Sequence, residues 1–346
     1  MQGALAVEPS VAPDRSLELA TAEVSRHAVR LIAIDPTSDR VALRAFAELP
    51  SLLRAGDLVV VNDAATLPGS LRGTTSDGEL IELRLSGPVE GNRLEGVLLG
   101  AGDWHTRTEH RPAPPDVRPG AELRLGEIRA RVVAATGRRV SVETAGGDAL
   151  WQALYASGTP VQYAHRDQPL PLHSVQTSYA ARPWAAEMPS AGRPLTWRVI
   201  LGLRRAGIEV ATLTHAAGLS STGDAGLDCA MPWPERYELP VRTAAAIERA
   251  RHDGGRVIAI GTTVVRALEA SGGAAGPGVA TLRLSPGYRP ELVDGLVSGL
   301  HVPGESHFDL LRAFASHARL ARALALAEAH GLSSHELGDA CMILPR

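Results

Sequence analysis

Lysine is missing altogether: the 346-residue chain carries 35 basic side chains, and every one is arginine. That absence excludes a lysine Schiff base, a pyridoxal-phosphate lysine and the lysine of a phosphate-binding loop. Cysteine is nearly missing. The two present, Cys229 and Cys341, cannot build a disulfide framework or, alone, a zinc cluster, and both suit a reducing cytoplasm. No apolar run reaches the length of a membrane span; the longest are broken by Arg, Gly or Pro. Residues 1–20 lack the basic start and long apolar run of a signal peptide. Neither an HExxH nor a CxxC pattern occurs, and His105 and His110 stand five apart, so no metal site is expected. There is no G-x-S-x-G either, which removes the local signal for serine hydrolysis. A net charge of -3 gives no overall nucleic-acid signature, so any RNA contact must come from a local arginine patch. What remains is a chain 45% apolar, long enough for two domains and able to bury a substantial core.

Residues 28–34 and 40–46 are β-rich. The segment Asp35-Pro36-Thr37-Ser38-Asp39 between them supplies turn chemistry, which predicts a hairpin. Residues 57–62 (DLVVVN) form a short apolar run of the buried-strand kind. Between 71 and 147 short alternating runs recur at 80–85, 94–99, 121–125, 128–134 and 139–143. Gly, Pro and Asp separate them, and Pro112, Pro114, Pro115 and Pro119 stiffen the longest link. Many short strands without a helical pattern predict a small antiparallel barrel.

Helical periodicity returns after Asp148. Residues 196–206 repeat apolar positions at Trp197, Ile200, Leu201 and Leu203 and stop at Gly207. Further helices are expected at 241–253 and 264–270, with one long Ala/Leu/Arg-rich helix from about 306 to 330. Strands at 208–213 and 256–260 alternate with these, and the glycine-rich residues 272–278 read as a flexible linker. The expected fold class is an α/β core (mixed α+β) with an inserted small antiparallel β-barrel. Residues 1–70 and 148–346 would form the core and residues 71–147 the insertion.

Three segments carry candidate chemistry. Residues 256–269 read as a buried strand, the turn Gly261-Thr262-Thr263 and an immediate helix. The unpaired N–H groups of a helix start favour an anion, although a threonine there also serves as a plain N-cap. The turn lacks the glycines of dinucleotide and phosphate-loop patterns. His301, beside Pro303 and Gly304 ahead of a helix, sits on a loop where side chains can face a ligand. His215, in Leu213-Thr214-His215-Ala216-Ala217-Gly218, ends a strand, where ligands of α/β sheets commonly bind. A hydrogen-bonded loop histidine is the bland alternative for both.

Taken in order, these and other segments resemble one family, the S-adenosylmethionine:tRNA ribosyltransferase-isomerases of queuosine biosynthesis. Gly56 to Asp63 is similar to that family's GDLLVxND, Gln176-Thr177-Ser178-Tyr179-Ala180 to YQTVYA, and Pro189-Ser190-Ala191-Gly192 to PTAG. Tyr237-Glu238-Leu239-Pro240 resembles YEVP, and residues 255–269 resemble GRVIAVGTTSVRxLE. Pro286-Gly287-Tyr288, Val293 to Leu296, His301 with Pro303, and Gly338-Asp339-Ala340 resemble PGY, VDAL, FHLP and GDAM. The likeness runs from Leu31 to Ile343.

The resemblance implies the same core with an inserted barrel. It also implies a chemistry: the ribosyl part of S-adenosylmethionine is moved to 7-aminomethyl-7-deazaguanine in tRNA, giving epoxyqueuosine, adenine and methionine without a metal. The implied catalytic candidates are His301, His215 and Glu235, with His301 ahead of His215 because its FHLP-like setting is kept. The implied cofactor-binding residues are Asn62, Asp63, Gln176, Tyr179, Ser190, Ala191, Gly192, Gly218, Gly261, Thr262, Thr263 and Arg266. The implied partner is tRNA carrying a deazaguanine base, with no membrane and no stable protein partner.

Departures from the pattern are polar. NDTRVxPAR is replaced by residues 62–70 with Ala65 and Ser70 where arginines stand, PTAGLHF loses its histidine near Arg193, and LHVGAGTF shifts its histidine one place, to His215. MHSE becomes Pro232-Trp233-Pro234-Glu235. Two other readings therefore stand beside the family reaction: an S-adenosylmethionine-using enzyme with a small nucleoside-like acceptor, and a non-catalytic ligand- or RNA-binding descendant. An arginine patch near the pocket favours tRNA, a closed apolar mouth favours a small acceptor, and binding without adenine release favours the third.

Overall fold

The structure is a computed structural model that describes residues 24–38, 40–163, 168–303, 306–334 and 337–345. Residues 1–20, Asp39 of the predicted turn, and Gly304 and Glu305 lie outside them. The chain opens with the antiparallel hairpin β1 (Arg30–Ile34) and β2 (Val41–Ala45), followed by the short helix α1 (Leu49–Leu52) and β3 (Leu58–Asn62). After β4 (Ala64–Thr66) it enters six antiparallel strands: β5 (Ser70–Thr75), β6 (Leu80–Leu85), β7 (Arg93–Leu99), β8 (Glu122–Leu125), β9 (Ile128–Thr136) and β10 (Arg139–Glu143). These close into a barrel in the order β10-β7-β6-β5-β8-β9. Alternation explains the closure: Ile81, Leu83, Leu85, Leu123, Leu125, Val140 and Val142 share one interior cluster, joined by Leu150 and Leu154 of α2 (Gly147–Ser157). The chain then returns beside its point of departure, because β11 (Arg182–Ala185) pairs with β4, Arg182 opposite Ala64.

The rest alternates helix and strand: α3 (Trp197–Arg205), β12 (Glu209–His215), α4 (Ala225–Cys229), β13 (Glu235–Leu239), α5 (Val241–His252), β14 (Val257–Ile260), α6 (Thr262–Ser271), β15 (Gly276–Ala280), β16 (Gly295–Gly299), α7 (Ser306–Leu311), α8 (His317–Ala329) and β17 (Ala340–Ile343). Among the described residues a nine-stranded sheet runs β15-β13-β12-β3-β14-β16-β17-β1-β2. Its centre, β12-β3-β14-β16, is parallel. Such strands are covered on both faces, which is why β3 reads as a continuous apolar run. Leu58 and Val60 pack with Ile247 of α5 and Leu268 of α6, while Val59 and Val61 pack with Val199, Ile200 and Leu203 of α3. Each such fully buried side chain contributes roughly 1.5–3 kcal/mol relative to exposure. No helix among the described residues is long and apolar enough to cross a membrane.

Three expectations need correction. The single helix of 306–330 is two, α7 and α8, separated where Ala315 is buried in the core and Phe314 packs partly buried against it. The linker of 272–278 gives way to strand at Gly276, since β15 pairs with β13 from Leu239–Gly276 to Glu235–Ala280. Glycine is needed there because a Cβ on Gly278 would collide with the Tyr237 ring. Trp197 and Leu201 point outward, and the buried stripe of α3 is Val199, Ile200 and Leu203.

Candidate active site

Because β12, β3, β14 and β16 are parallel, their carboxyl ends meet at one edge of the sheet, the usual place for a ligand in such folds. Four adjacent strand ends deliver His215, Asn62 with Asp63, the Gly261-Thr262-Thr263 turn, and Ser298 with His301. Three strand spacings separate the first from the last, about 14 Å at ~4.8 Å each. His215 and His301 thus stand at opposite ends of the row and cannot share one atom.

At the turn, Gly261 holds φ +98°, a conformation that suits glycine, and its N–H donates to Val297 O at 2.8 Å. Val264 N–H closes back on Gly261 O, so the N–H groups of Thr262 and Thr263 at the start of α6 have no intrahelical acceptor. Ala191 lies against Gly261, which brings the turn Ser190–Gly192 over the same spot. Tyr179 leans on that turn, its hydroxyl 3.5 Å from Gly192 O; burial, and then the Asp63 charge, push its pKa up. His301 is adjacent on the next strand end, with Nε2 3.3 Å from Ser298 Oγ and its ring stacked on His307 at 4.8 Å.

At the other end lies a buried polar cluster. His215 is completely buried, neither ring nitrogen has a hydrogen-bond partner among the described residues, and Nε2 stands 3.5 Å from Glu235 Oε2. Burial, and then the Arg266 charge, hold its pKa down at about 3, so the imidazole is neutral. Glu235 is paired with Arg266 and accepts from Gly218 N–H at 2.6 Å. Arg266 also donates to the carbonyls of Leu282, Ala280 and Trp233; burial, and then Arg283, bring its pKa down to about 10. Of the His215–Glu235 pair only Glu235 reaches the surface, with 11% of its side chain exposed against 0% for His215.

Two candidates are already committed to backbone. Asn62 Oδ1 accepts from Ala64 and His215 N–H while its amide donates to His215 O, which ties β3 to β12. Gln176 clamps Thr66 with both halves of its amide, at 2.9 and 2.8 Å. Asp63 accepts from Thr214 Oγ1 at 2.6 Å.

Sequence reasoning missed a second buried network, where the barrel meets the core. Glu82 Oε1 accepts from Arg84 Nε at 2.7 Å and from Ser70 Oγ at 2.8 Å, and Oε2 accepts from Arg111 Nη1 at 2.7 Å. Burial opposes the charge of Glu82, yet Arg84 and Arg111 outweigh it and hold the carboxyl at about 2. Nearby, Glu187 accepts from Ser220 N–H, Ser220 Oγ and Tyr163, and burial pushes its carboxyl up. The Ser70 that replaces a family arginine is therefore engaged with Glu82, and Arg193, almost fully buried, donates to Val24 O at 2.8 Å. The one signal in the sequence was the alternation of Glu82 and Arg84 with Ile81, Leu83 and Leu85, which ordinarily marks a solvated strand face.

With this geometry in view, comparison with known proteins gives one answer. The profile of the queuosine biosynthesis protein family matches residues 13–343. The chain belongs to that family. Among its relatives, the S-adenosylmethionine:tRNA ribosyltransferase-isomerase of Anaeromyxobacter dehalogenans (strain 2CP-C) is 33% identical over 335 residues, covering 93% of this chain and 94% of the relative. That of Gloeobacter violaceus is 32% identical, covering 96% and 94%. That of Thermus thermophilus is 31% identical, covering 88% and 89%. The crystal structure of S-adenosylmethionine tRNA ribosyltransferase from Thermotoga maritima matches with a TM-score of 0.53 over 96% of this chain and 99% of that one; at 22% identity it speaks to the fold alone. Family membership accounts for the barrel inserted in a mixed α+β core. No group of three His, Cys, Asp or Glu side chains that could hold a metal occurs among the described residues.

Proposed function

We propose that the chain transfers and isomerises the ribosyl moiety of S-adenosylmethionine onto 7-aminomethyl-7-deazaguanine in tRNA. The observation that carries this reading is the convergence of the kept motifs on three neighbouring strand ends, those of β3, β14 and β16, in a chain alignable almost throughout with curated enzymes of that name. The Gly261-Thr262-Thr263 turn, with two free N–H groups and the Ser190–Gly192 turn above it, suits the methionyl carboxylate. A sulfonium acidifies the adjacent 5′ C–H, so the reaction needs a base there and an acid near the departing adenine. Glu235 is the exposed member of its pair and the contact candidate; His215, neutral and wholly covered, positions it. His301 serves the opposite end of the ligand. The division into a core of residues 1–70 and 148–346 and an inserted domain of 71–147 belongs to the same reading, as does a cytoplasmic location, where tRNA substrates are found.

The replacement of two family arginines by Ala65 and Ser70 favours, as second reading, a small nucleoside-like acceptor. Incubation with S-adenosylmethionine, with and without deazaguanine-bearing tRNA, separates the two by adenine and methionine release. Release that requires the tRNA supports the first reading, and release indifferent to it supports the second. His301→Ala, folded by circular dichroism, is expected to lose at least tenfold in adenine release, on the order of a general acid–base contribution. Full activity removes His301 from the site.

A further inference from the structure

The opposite edge of the sheet, where the parallel strands begin, carries a groove of about 360 Å³. The topology fixes its place: β17 is antiparallel to β16 and β1 runs with β17, so Pro36 after β1 and the loop before β16 both fall at that edge. Its walls bring Arg289, Arg312 and Arg319 together with the rings of Tyr288 and Phe314.

The wall is built rather than incidental. Glu269 of α6 accepts from the Tyr288 hydroxyl at 2.8 Å and from the N–H groups of Glu291, Leu292 and Val293 at 2.9–3.0 Å, which fastens the loop that presents Arg289. Arg319 is aimed by a bond from Nε to Ser38 O at 3.1 Å, and its other N–H groups have no protein partner among the described residues. Arg289 is exposed and has no protein partner among them either. Arg312 meets Asp309 at 3.4 Å, a partly exposed pair of little strength. Asp35 is turned into its own loop, accepting from Thr37 and Ser38. Three guanidiniums thus line one open groove; of the acids around it among the described residues, Glu269 is spent on hydrogen bonds of the fold, Asp309 is weakly engaged with Arg312, and Glu291 lies near Tyr288.

We propose that this groove binds the sugar-phosphate backbone of RNA. Guanidiniums recognise phosphate oxygens through paired N–H donors, and aromatic or guanidinium planes stack on unpaired bases. The groove has room for more than a single phosphate, and three cations on separate segments match a strand with successive charges. The RNA assignment rests on the function proposed above; the affinity of the groove for phosphate groups does not. Lying across the sheet from the chemistry, the contact adds to tRNA affinity without touching S-adenosylmethionine.

The test uses the full chain and an unmodified RNA stem-loop, bound over a salt series. Arg289→Ala removes a side chain with no described protein partner, so the fold is kept. It is expected to weaken RNA about tenfold and to reduce the salt slope by about one, uniformly across sequences. Arg289→Glu should weaken it further, and calorimetric affinity for S-adenosylmethionine should not change in either variant. Unchanged RNA affinity and slope in both variants overturn the proposal. So does binding of inorganic phosphate or adenosine monophosphate that depends on Arg289 while RNA binding does not, since the groove is then a small-anion site. RNA affinity that depends on Arg289 in a protein without ribosyl transfer leaves the groove standing and removes the proposed reaction.

Discussion

Glu82→Gln changes one atom and removes one charge from the place where the barrel meets the core. The carboxylate is the anion between two buried guanidiniums; Arg84 also donates to Thr108 at 3.0 Å, and Arg111 to the carbonyls of Gly100 and Ala101 at 2.6 and 3.0 Å, so neither can withdraw to water. A carboxyl held at about 2 rather than 4.5 corresponds to about 3 kcal/mol of stability. Breaking a buried pair by removing one partner gives the same range, about 3–5 kcal/mol, because the remaining charges stay buried. Urea unfolding near neutral pH is therefore expected to show a loss of about 3–5 kcal/mol with an unchanged denaturant slope. The pH dependence has a definite sign. Glu82 is depressed in the folded state, so its contribution is complete above pH 4.5 and is lost as the pH falls towards about 2. The variant should lack that component of acid destabilisation. A loss below about 1 kcal/mol, the range of ordinary surface changes, together with an unaltered acid profile, would refute the reasoning.

His215 should act in a different window. Its folded pKa of about 3 lies below the ordinary 6.5, so the unfolded chain binds the extra proton between those values and stability falls as the pH drops below 6.5, at up to roughly 1.4 kcal/mol per pH unit. Unfolding of His215→Gln between pH 4 and pH 7 should show a shallower decline, whereas parallel profiles would show that His215 does not titrate this way. At the turn before α6, Thr262→Val with Thr263→Val is expected to weaken S-adenosylmethionine about tenfold in calorimetry, the loss of a hydrogen bond to a charged group. Equal affinity removes those hydroxyls from the site.

The strands were legible wherever local patterning and tertiary fate agree. The run 80–85 matches β6 and 139–143 matches β10, because side chains alternating in the sequence alternate between the barrel interior and its outside. The break between α7 and α8 was not legible. Residues 312–316 contain neither glycine nor proline, and the break goes with tertiary packing, Ala315 buried in the core and Phe314 partly buried against it. Ser316, an N-cap residue by type, was the overlooked hint. The edge strand β15 hid behind its glycines, of which Gly278 is explained only beside Tyr237. For the site, the turn at Gly261 and the strand-end histidines could be found, since position at a strand end is a local property. That Asn62 and Gln176 spend their amides on backbone, and that Glu82 and Arg84 face protein rather than water, depends on segments 100 or more residues away and on the docking of the barrel.

The pairing of β1 with β17 joins Leu31 to Ala340. During synthesis the first hairpin therefore has no parallel neighbour until nearly the whole chain has emerged. The barrel, whose six strands lie within residues 70–143, can close on its own long before. Contacts of short sequence separation form early and those of long separation late. On the ribosome the barrel is accordingly expected to mature first, and the edge that carries the catalytic candidates to be assembled among the last events, when β16 and then β17 arrive to complete the sheet.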